Sequence, residues 1–184
     1  SAVGAKAASS HTGALAASDV AVDALFRHSG VIRVTTIEEM FNAAEVLTHQ
    51  PLPKGANVAI LTNAGGPGVL AADACESMGL KVPPLSEDTQ KRLREFLPES
   101  AAVLNPVDMI ATAPPESFKR SLKIILEDPS IDSVIVIYIP PMVTKPQDVA
   151  RSVDEALMGY VGGKPVITCF MMSQATMEGL RKET

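Results

Sequence analysis

The amino-acid sequence predicts an α/β protein built around a parallel sheet, and three observations support that fold class. The continuous apolar run at residues 133–139 is typical of a strand that is buried on both faces. A helical stripe formed by Phe118, Leu122, Ile125 and Leu126 precedes this run, as a crossover helix precedes its strand. The 184 residues include 12 Gly and 14 Pro but only five Phe, two Tyr and no Trp, which favours many short connections over an aromatic-rich β-sandwich.

Residues 1–50 are predicted to be the C-terminal part of one α/β domain. Asp19 begins a short helix that Gly30 ends, and the β-branched run at residues 31–34 is predicted to be a strand. Thr36 is expected to cap a second helix, in which apolar residues recur on one face. The segment HQPLPKG at residues 49–55 has the composition of a linker, and we place the domain boundary there.

Residues 51–184 are predicted to form a second domain of repeated strand and helix units. Further strands are expected at residues 57–61, 80–82 and 165–170, and further helices at 66–78, 86–97, 148–157 and from 173 onward. Ser86 is the expected N-cap of the second of these helices. The number of units predicts a flavodoxin-like, doubly wound parallel sheet, which we expect to lack its last strand within this chain.

Composition and charge argue against several classes of protein. The net charge is −5 with acidic and basic residues interleaved, which is not the pattern of a nucleic-acid-binding surface. Apolar runs are much shorter than a membrane-spanning helix requires, and we expect a soluble, cytoplasmic protein. Cys75 and Cys169 lie in apolar segments without metal-ligand spacing, so we expect buried free thiols and no metal site.

A glycine-rich loop at residues 62–68, TNAGGPG, joins the first strand of the second domain to its helix. Such a loop suits phosphate, because glycines let backbone N–H groups approach an anion at the positive end of a helix. The alternative is a tight turn in which the glycines only supply positive φ angles. A Walker A loop is excluded, because Val69 and Leu70 stand where Lys and Ser or Thr are required. A dinucleotide fingerprint ending at Ala71 fits the spacing, but its acidic partner would be Glu87, which a helix start explains.

His11 lies in the run SSHTGALA, between hydroxyl side chains and a glycine. An imidazole there is accessible and is nucleophilic near neutral pH. The alternative for a lone loop histidine is a solvated or capping side chain. His28 and His49 have no comparable context, and we expect structural roles for both.

Four motifs taken in order resemble the ADP-forming acetyl-CoA synthetases, which are NDP-forming acyl-CoA synthetases related to succinyl-CoA synthetase. The motifs are SSHTGALAASD at residues 9–19, GVIRV at 30–34, AILTNAGGPGVLAADAC at 59–75 and NPVDM at 105–109. The family interconverts acyl-CoA, ADP and phosphate with acid, CoA and ATP. An acyl phosphate forms first, a histidine takes its phosphoryl group, and the histidine then phosphorylates ADP.

The resemblance implies a role for each matching residue. His11 would carry the phosphoryl group, and two helix starts would bind it through backbone N–H groups and helix dipoles. The implied phosphate-binding residues are Ser10, Thr12, Gly13, Asn63, Ala64, Gly65, Gly66 and Gly68. Asn105 and Asp108 of the NPVD motif are possible supporting residues, although Asn-Pro followed by Asp is also a sound turn and cap.

The resemblance also implies partners outside this chain. An ATP-grasp domain and a CoA-binding domain would bind most of the CoA, ATP or ADP, and Mg²⁺, and the whole enzyme would be an oligomer acting on acyl-CoA. This chain alone is expected to be inactive. Two alternatives stay open: a non-catalytic regulatory or effector-binding module of an acetyltransferase fusion, and a dinucleotide-binding domain.

Overall fold

The computed structural model describes residues 19–172. The chain divides into two compact units between His49 and Gln50. Each unit is described by itself. Among the described residues, no helix is long and apolar enough to cross a membrane.

The first unit contains two helices, α1 (Asp19–His28) and α2 (Ile37–His49). Gly30 ends the first helix region with a φ of 68°, and Thr36 begins the second, where its hydroxyl oxygen accepts a bond from the N–H of Glu39 at 3.1 Å. The N–H groups of Thr35 and Thr36 donate in turn to the carboxylate of Glu39, which completes a capping box. Both predicted helices and the predicted cap are therefore confirmed.

The strand predicted at residues 31–34 is wrong, because this segment forms no ladder with any described residue. The described part of the unit offers no second strand with which it could pair, and a strand requires a partner. The segment is instead held by Arg33, whose guanidinium forms ion pairs with Asp23 and, at 3.1 Å, with Asp19.

The second unit is a four-stranded parallel sheet with helices on its faces. Its elements are β1 (Val58–Thr62), α3 (Gly65–Ser77), α4 (Glu87–Arg94), β2 (Val107–Asp108), α5 (Pro115–Glu127), β3 (Ser133–Tyr138), α6 (Pro146–Leu157) and β4 (Val166–Phe170). The strand order is β2-β1-β3-β4, which is the order of the first four strands of a flavodoxin-like sheet. The predicted fold class is confirmed.

Alternation along the strands sends side chains to two apolar layers. The larger layer contains Ala59, Leu61, Val134 and Val136 and packs against α5 and α6, while the smaller contains Val58, Ile60 and Ile137 and packs against α3. All five residues of β1 are buried, as expected for a central strand between two layers of helices.

Three details of this unit differ from the prediction. Cys75 is buried as expected, but Cys169 is exposed, because it lies on β4 at the edge of the described sheet. The strand expected at residues 80–82 is reduced to a single bridge between Lys81 and Asn57. The strand β2, which was not predicted, pairs Val107 and Asp108 with the end of β1. Two short segments therefore lie beside β1 on this side. Lys81 bridges the residue before the strand, and β2 pairs with the end of the strand.

Asp128 connects the loop between α5 and β3 with the loop that precedes α4. It is 1% exposed, and its carboxylate accepts bonds from the N–H of Ser86 at 2.8 Å and from the N–H and hydroxyl of Ser130 at 2.9 and 2.6 Å. Burial raises the pKa of this carboxyl, but the hydrogen bonds lower it by more, to about 2. Ser86 is also the N-cap of α4, as predicted, and its hydroxyl accepts a bond from the N–H of Thr89.

Candidate functional site

The glycine-rich loop lies at the carboxyl end of β1, where the order of the strands reverses. From β1 the chain continues through α3 on one face of the sheet, whereas α5 and α6 pack against the other. Ligands of doubly wound sheets bind in the crevice at this reversal. The loops after β1 and β3 therefore border the candidate site.

Asn63 joins these two loops. Its side-chain amide donates to the carbonyl oxygen of Ile139 at 2.8 Å, and its side-chain oxygen accepts from the N–H of Ile139 at 2.9 Å. The residue is only 2% exposed. Both polar atoms of the Asn63 side chain are therefore bonded to the loop after β3. We predicted Asn63 among the phosphate-binding residues.

The start of α3 leaves two backbone donors unused. The N–H of Ala64 donates to the hydroxyl oxygen of Thr62 at 3.1 Å, and the N–H of Gly68 donates to the carbonyl oxygen of Ala64 at 3.3 Å. Within residues 19–172, the N–H groups of Gly65 and Gly66 have no acceptor, and no side chain caps the helix. Two adjacent free N–H groups at the positive end of a helix are suited to an anion.

The three glycines of this helix start have different surroundings. A Cβ atom on Gly65 would lie 2.9 Å from a carboxylate oxygen of Asp108, and one on Gly68 would lie 3.1 Å from the methyl carbon of Thr62. A Cβ atom on Gly66 would meet nothing within 4 Å. Gly65 and Gly68 therefore permit close packing, whereas Gly66 faces open space.

Asn105 acts as a substitute for a strand residue beside β1. Its side-chain oxygen accepts from the N–H of Ile60 at 3.0 Å, and its side-chain amide donates to the carbonyl oxygens of Val58 and Pro83 at 2.9 and 2.8 Å. These bonds fill the gap between the Lys81 bridge and β2. Asn105 therefore supports the strand that leads into the glycine-rich loop.

Asp108 lies beside Gly65 at the start of α3. One carboxylate oxygen accepts from the N–H of Ile110 at 2.9 Å, while the other faces Gly65. Ile110 has a φ of 65°, which is a strained value for a β-branched residue. The turn that positions the Asp108 side chain therefore has a conformational cost. The structure thus brings Asp108 to the glycine-rich loop.

Thr62 is a residue of this site that the sequence analysis did not single out. Its hydroxyl holds Ala64 and so fixes the angle at which the chain enters α3. A hydroxyl residue that ends an apolar strand is the signal that could have identified it.

The other predicted site residues, Ser10, His11, Thr12 and Gly13, lie outside the described residues. Glu87 lies in the first turn of α4, next to the Ser86 cap, and does not end a strand. The dinucleotide fingerprint therefore lacks its acidic residue at the position that ribose recognition requires.

Comparison with known proteins assigns both units. The model of the Ligase-CoA domain matches residues 58–176, and that of the succinyl-CoA ligase-like flavodoxin domain matches residues 1–47. The ADP-forming acetate–CoA ligase II subunit alpha of Pyrococcus furiosus is 47% identical over 184 residues, which are 97% of this chain and 40% of that protein. This chain belongs to the ADP-forming acyl-CoA synthetases.

Two further relatives of this synthetase chain show how far the similarity extends. The ADP-forming acetate–CoA ligase I of Archaeoglobus fulgidus is 43% identical over 97% of this chain and 24% of its own length. The dinucleotide-forming acetyl-coenzyme A synthetase 1 of Ca. Korarchaeum cryptofilum, solved in complex with phosphate and ADP, superposes with a TM-score of 0.89 at 29% identity. It covers all of this chain, which spans 40% of that structure. The chain thus spans less than half the length of these relatives.

Proposed function

We propose that this chain is the phosphohistidine-bearing part of an ADP-forming acyl-CoA synthetase. In this proposal the complete enzyme interconverts acyl-CoA, ADP and phosphate with acid, CoA and ATP. The observation that carries the proposal is the pair of N–H groups at Gly65 and Gly66, which have no acceptor within the described residues, in a domain matched by the Ligase-CoA model. Residues 1–50 and 51–184 would be its two domains, and His11 in the first would carry the phosphoryl group.

In the proposed reaction the described residues bind and orient phosphate. The N–H groups of Gly65 and Gly66 would donate to phosphoryl oxygens, and the dipole of α3 would favour their negative charge. Asn63 and Thr62 would hold these donors in position, so that little reorganisation is required when the anion arrives. Ser10, Thr12 and Gly13 would supply the second helix start.

Other parts of the complete enzyme would supply the remaining chemistry. We assign CoA, the adenine nucleotide and Mg²⁺ mainly to an ATP-grasp domain and a CoA-binding domain outside this chain, in a cytoplasmic oligomer. Relatives that share this segment are named for acetate, for 4-hydroxybutyrate and for trans-ferulate. Because their names differ in the acid, we place the selection of the acyl group outside this segment.

The first test is phosphorylation of the complete enzyme that contains this chain. After incubation with ATP and Mg²⁺, intact-mass analysis should detect one added phosphoryl group that is lost in acid. His11→Asn should abolish the added mass, whereas the matched control His28→Asn, at an exposed histidine of α1, should retain it.

Two results would contradict the proposal. An acid-labile phosphoryl group that persists in His11→Asn would place the carrier on another residue. Complete absence of phosphorylation in the wild type would favour the alternative, a regulatory module that keeps the fold without phosphoryl transfer.

A further inference from the structure

A second candidate site lies at the edge of the sheet opposite to the glycine-rich loop. A cavity of about 330 Å³ is formed where the chain leaves α6 and enters β4, next to the segment that precedes β1. The glycine-rich loop follows the end of β1, and β4 runs parallel to β1 through β3, so the start of β4 is at the other edge. The cavity is therefore distinct from the proposed phosphate site.

Three residues that carry hydrogen-bond donors, Gln50, Tyr160 and Lys164, line this cavity. The side-chain oxygen of Gln50 accepts from the N–H of Val166 at 3.1 Å, which leaves its NH₂ group without a partner among residues 19–172. The hydroxyl oxygen of Tyr160 accepts from the N–H of Lys164 at 3.3 Å and keeps its own O–H to donate. The ammonium group of Lys164 uses one of its donors on the carbonyl oxygen of Asp128.

The positive charge of Lys164 has no close counter-ion in the described part of the chain. Asp128 and Asp132 are the nearby carboxylates, but each accepts bonds from other groups, and neither forms an ion pair with Lys164. Burial lowers the pKa of Lys164, while the two carboxylates raise it by less. An anion beside the ammonium group would offset this desolvation.

The remaining wall of the cavity is apolar. Pro51, Leu157, Val161 and Val166 supply aliphatic surface next to the three donors. Among residues 19–172, no carboxylate side chain lines the cavity. The chemistry of the cavity is therefore complementary to a small molecule with a carboxylate at one end and a short hydrocarbon chain at the other.

We propose that this cavity binds a short aliphatic carboxylate. The carboxylate accepts hydrogen bonds from Gln50, Tyr160 and Lys164, and the hydrocarbon chain packs on Leu157 and Val166. This proposal does not depend on phosphoryl transfer, because none of these residues belongs to the glycine-rich loop.

Butyrate is the probe, and the complete enzyme that contains this chain, labelled with 15N at lysine and valine, is titrated with it while the backbone amide signals of Lys164 and Val166 are followed by NMR. Saturable shifts are expected with butyrate, and at least about tenfold weaker binding with 1-butanol, which has the same number of carbon atoms but no charge. Gln50→Glu is the key variant. It keeps the oxygen that accepts from Val166 but replaces the NH₂ donors with a negative charge, so butyrate should bind at least about tenfold more weakly.

Several outcomes would overturn the proposal. They are the absence of a saturable shift in the wild type, equal affinity for butyrate and 1-butanol, and unchanged butyrate affinity in Gln50→Glu. If Gln50→Glu does not fold, Lys164→Met keeps the aliphatic stem and removes the charge, and unchanged affinity there would be equally decisive. His11→Asn should bind butyrate like the wild type, which separates this result from the test of phosphorylation.

Discussion

Gly65 and Gly66 are adjacent in the first turn of α3, but alanine should have opposite effects at the two positions. Neither glycine has a positive φ, so the backbone of both positions accepts an alanine. A Cβ atom at Gly66 would have no neighbour within 4 Å, whereas one at Gly65 would lie 2.9 Å from the carboxylate of Asp108. The pair thus provides a substitution and its matched control.

The magnitudes follow from this geometry. Gly66→Ala reduces the conformational entropy of the unfolded chain without a clash, and should raise the free energy of unfolding by about 0.4–1 kcal/mol. Gly65→Ala gains the same entropy but forces Asp108 away from the N–H of Ile110, at a cost of about 1–3 kcal/mol. The difference between the two variants should be about 2 kcal/mol.

Urea unfolding of both variants measures the stability, and phosphorylation of the complete enzyme measures the function. Gly66→Ala should be the more stable protein but the poorer phosphate-binding one, because its methyl group extends into the space where we place the anion. A stable Gly66→Ala enzyme with wild-type phosphorylation would refute that placement. Equal losses of stability in both variants would refute the packing argument for Gly65.

Two further predictions concern stability. Asn105→Ala should lower the free energy of unfolding by about 3 kcal/mol, because it leaves three backbone groups beside β1 without partners; urea unfolding showing a loss below about 1 kcal/mol would contradict this. The pKa of Asp128 is about 2 when folded and ordinarily 3.8, so its contribution of about 2 kcal/mol should be complete above about pH 4 and lost as the pH falls toward 2. Asp128→Asn should flatten this pH dependence of unfolding, and an unchanged pH dependence in this variant would contradict the assignment.

Long apolar segments made most of the fold predictable. The strands β3 and β4 lie within the predicted ranges and β1 extends one residue beyond its range, because a buried parallel strand needs a continuous apolar run that few other elements share. Residues 31–34 have the same β-branched character but no strand beside them in the described part of the chain. Local preference cannot supply a partner, and that prediction failed for this reason.

The short strand β2 could not be predicted, because two residues carry no periodic pattern. Its position depends on Asn105, whose side chain takes the place of backbone beside β1. An asparagine amide binds a ligand or a carbonyl group with the same atoms, and only the three-dimensional neighbours decide between them. The resemblance grouped Asn63 with the phosphate-binding residues, and in the structure its side chain is bonded to Ile139.

The pair of hydrogen bonds between Asn63 and Ile139 has a mechanical consequence. The loops after β1 and β3 are clamped together, so the crevice cannot widen unless a buried amide gives up both bonds at once. An anion site built on these two loops is rigid and changes little when a ligand binds. If the proposed phosphate site is correct, the anion therefore binds to a rigid frame, and the phosphorylated group has to move to it.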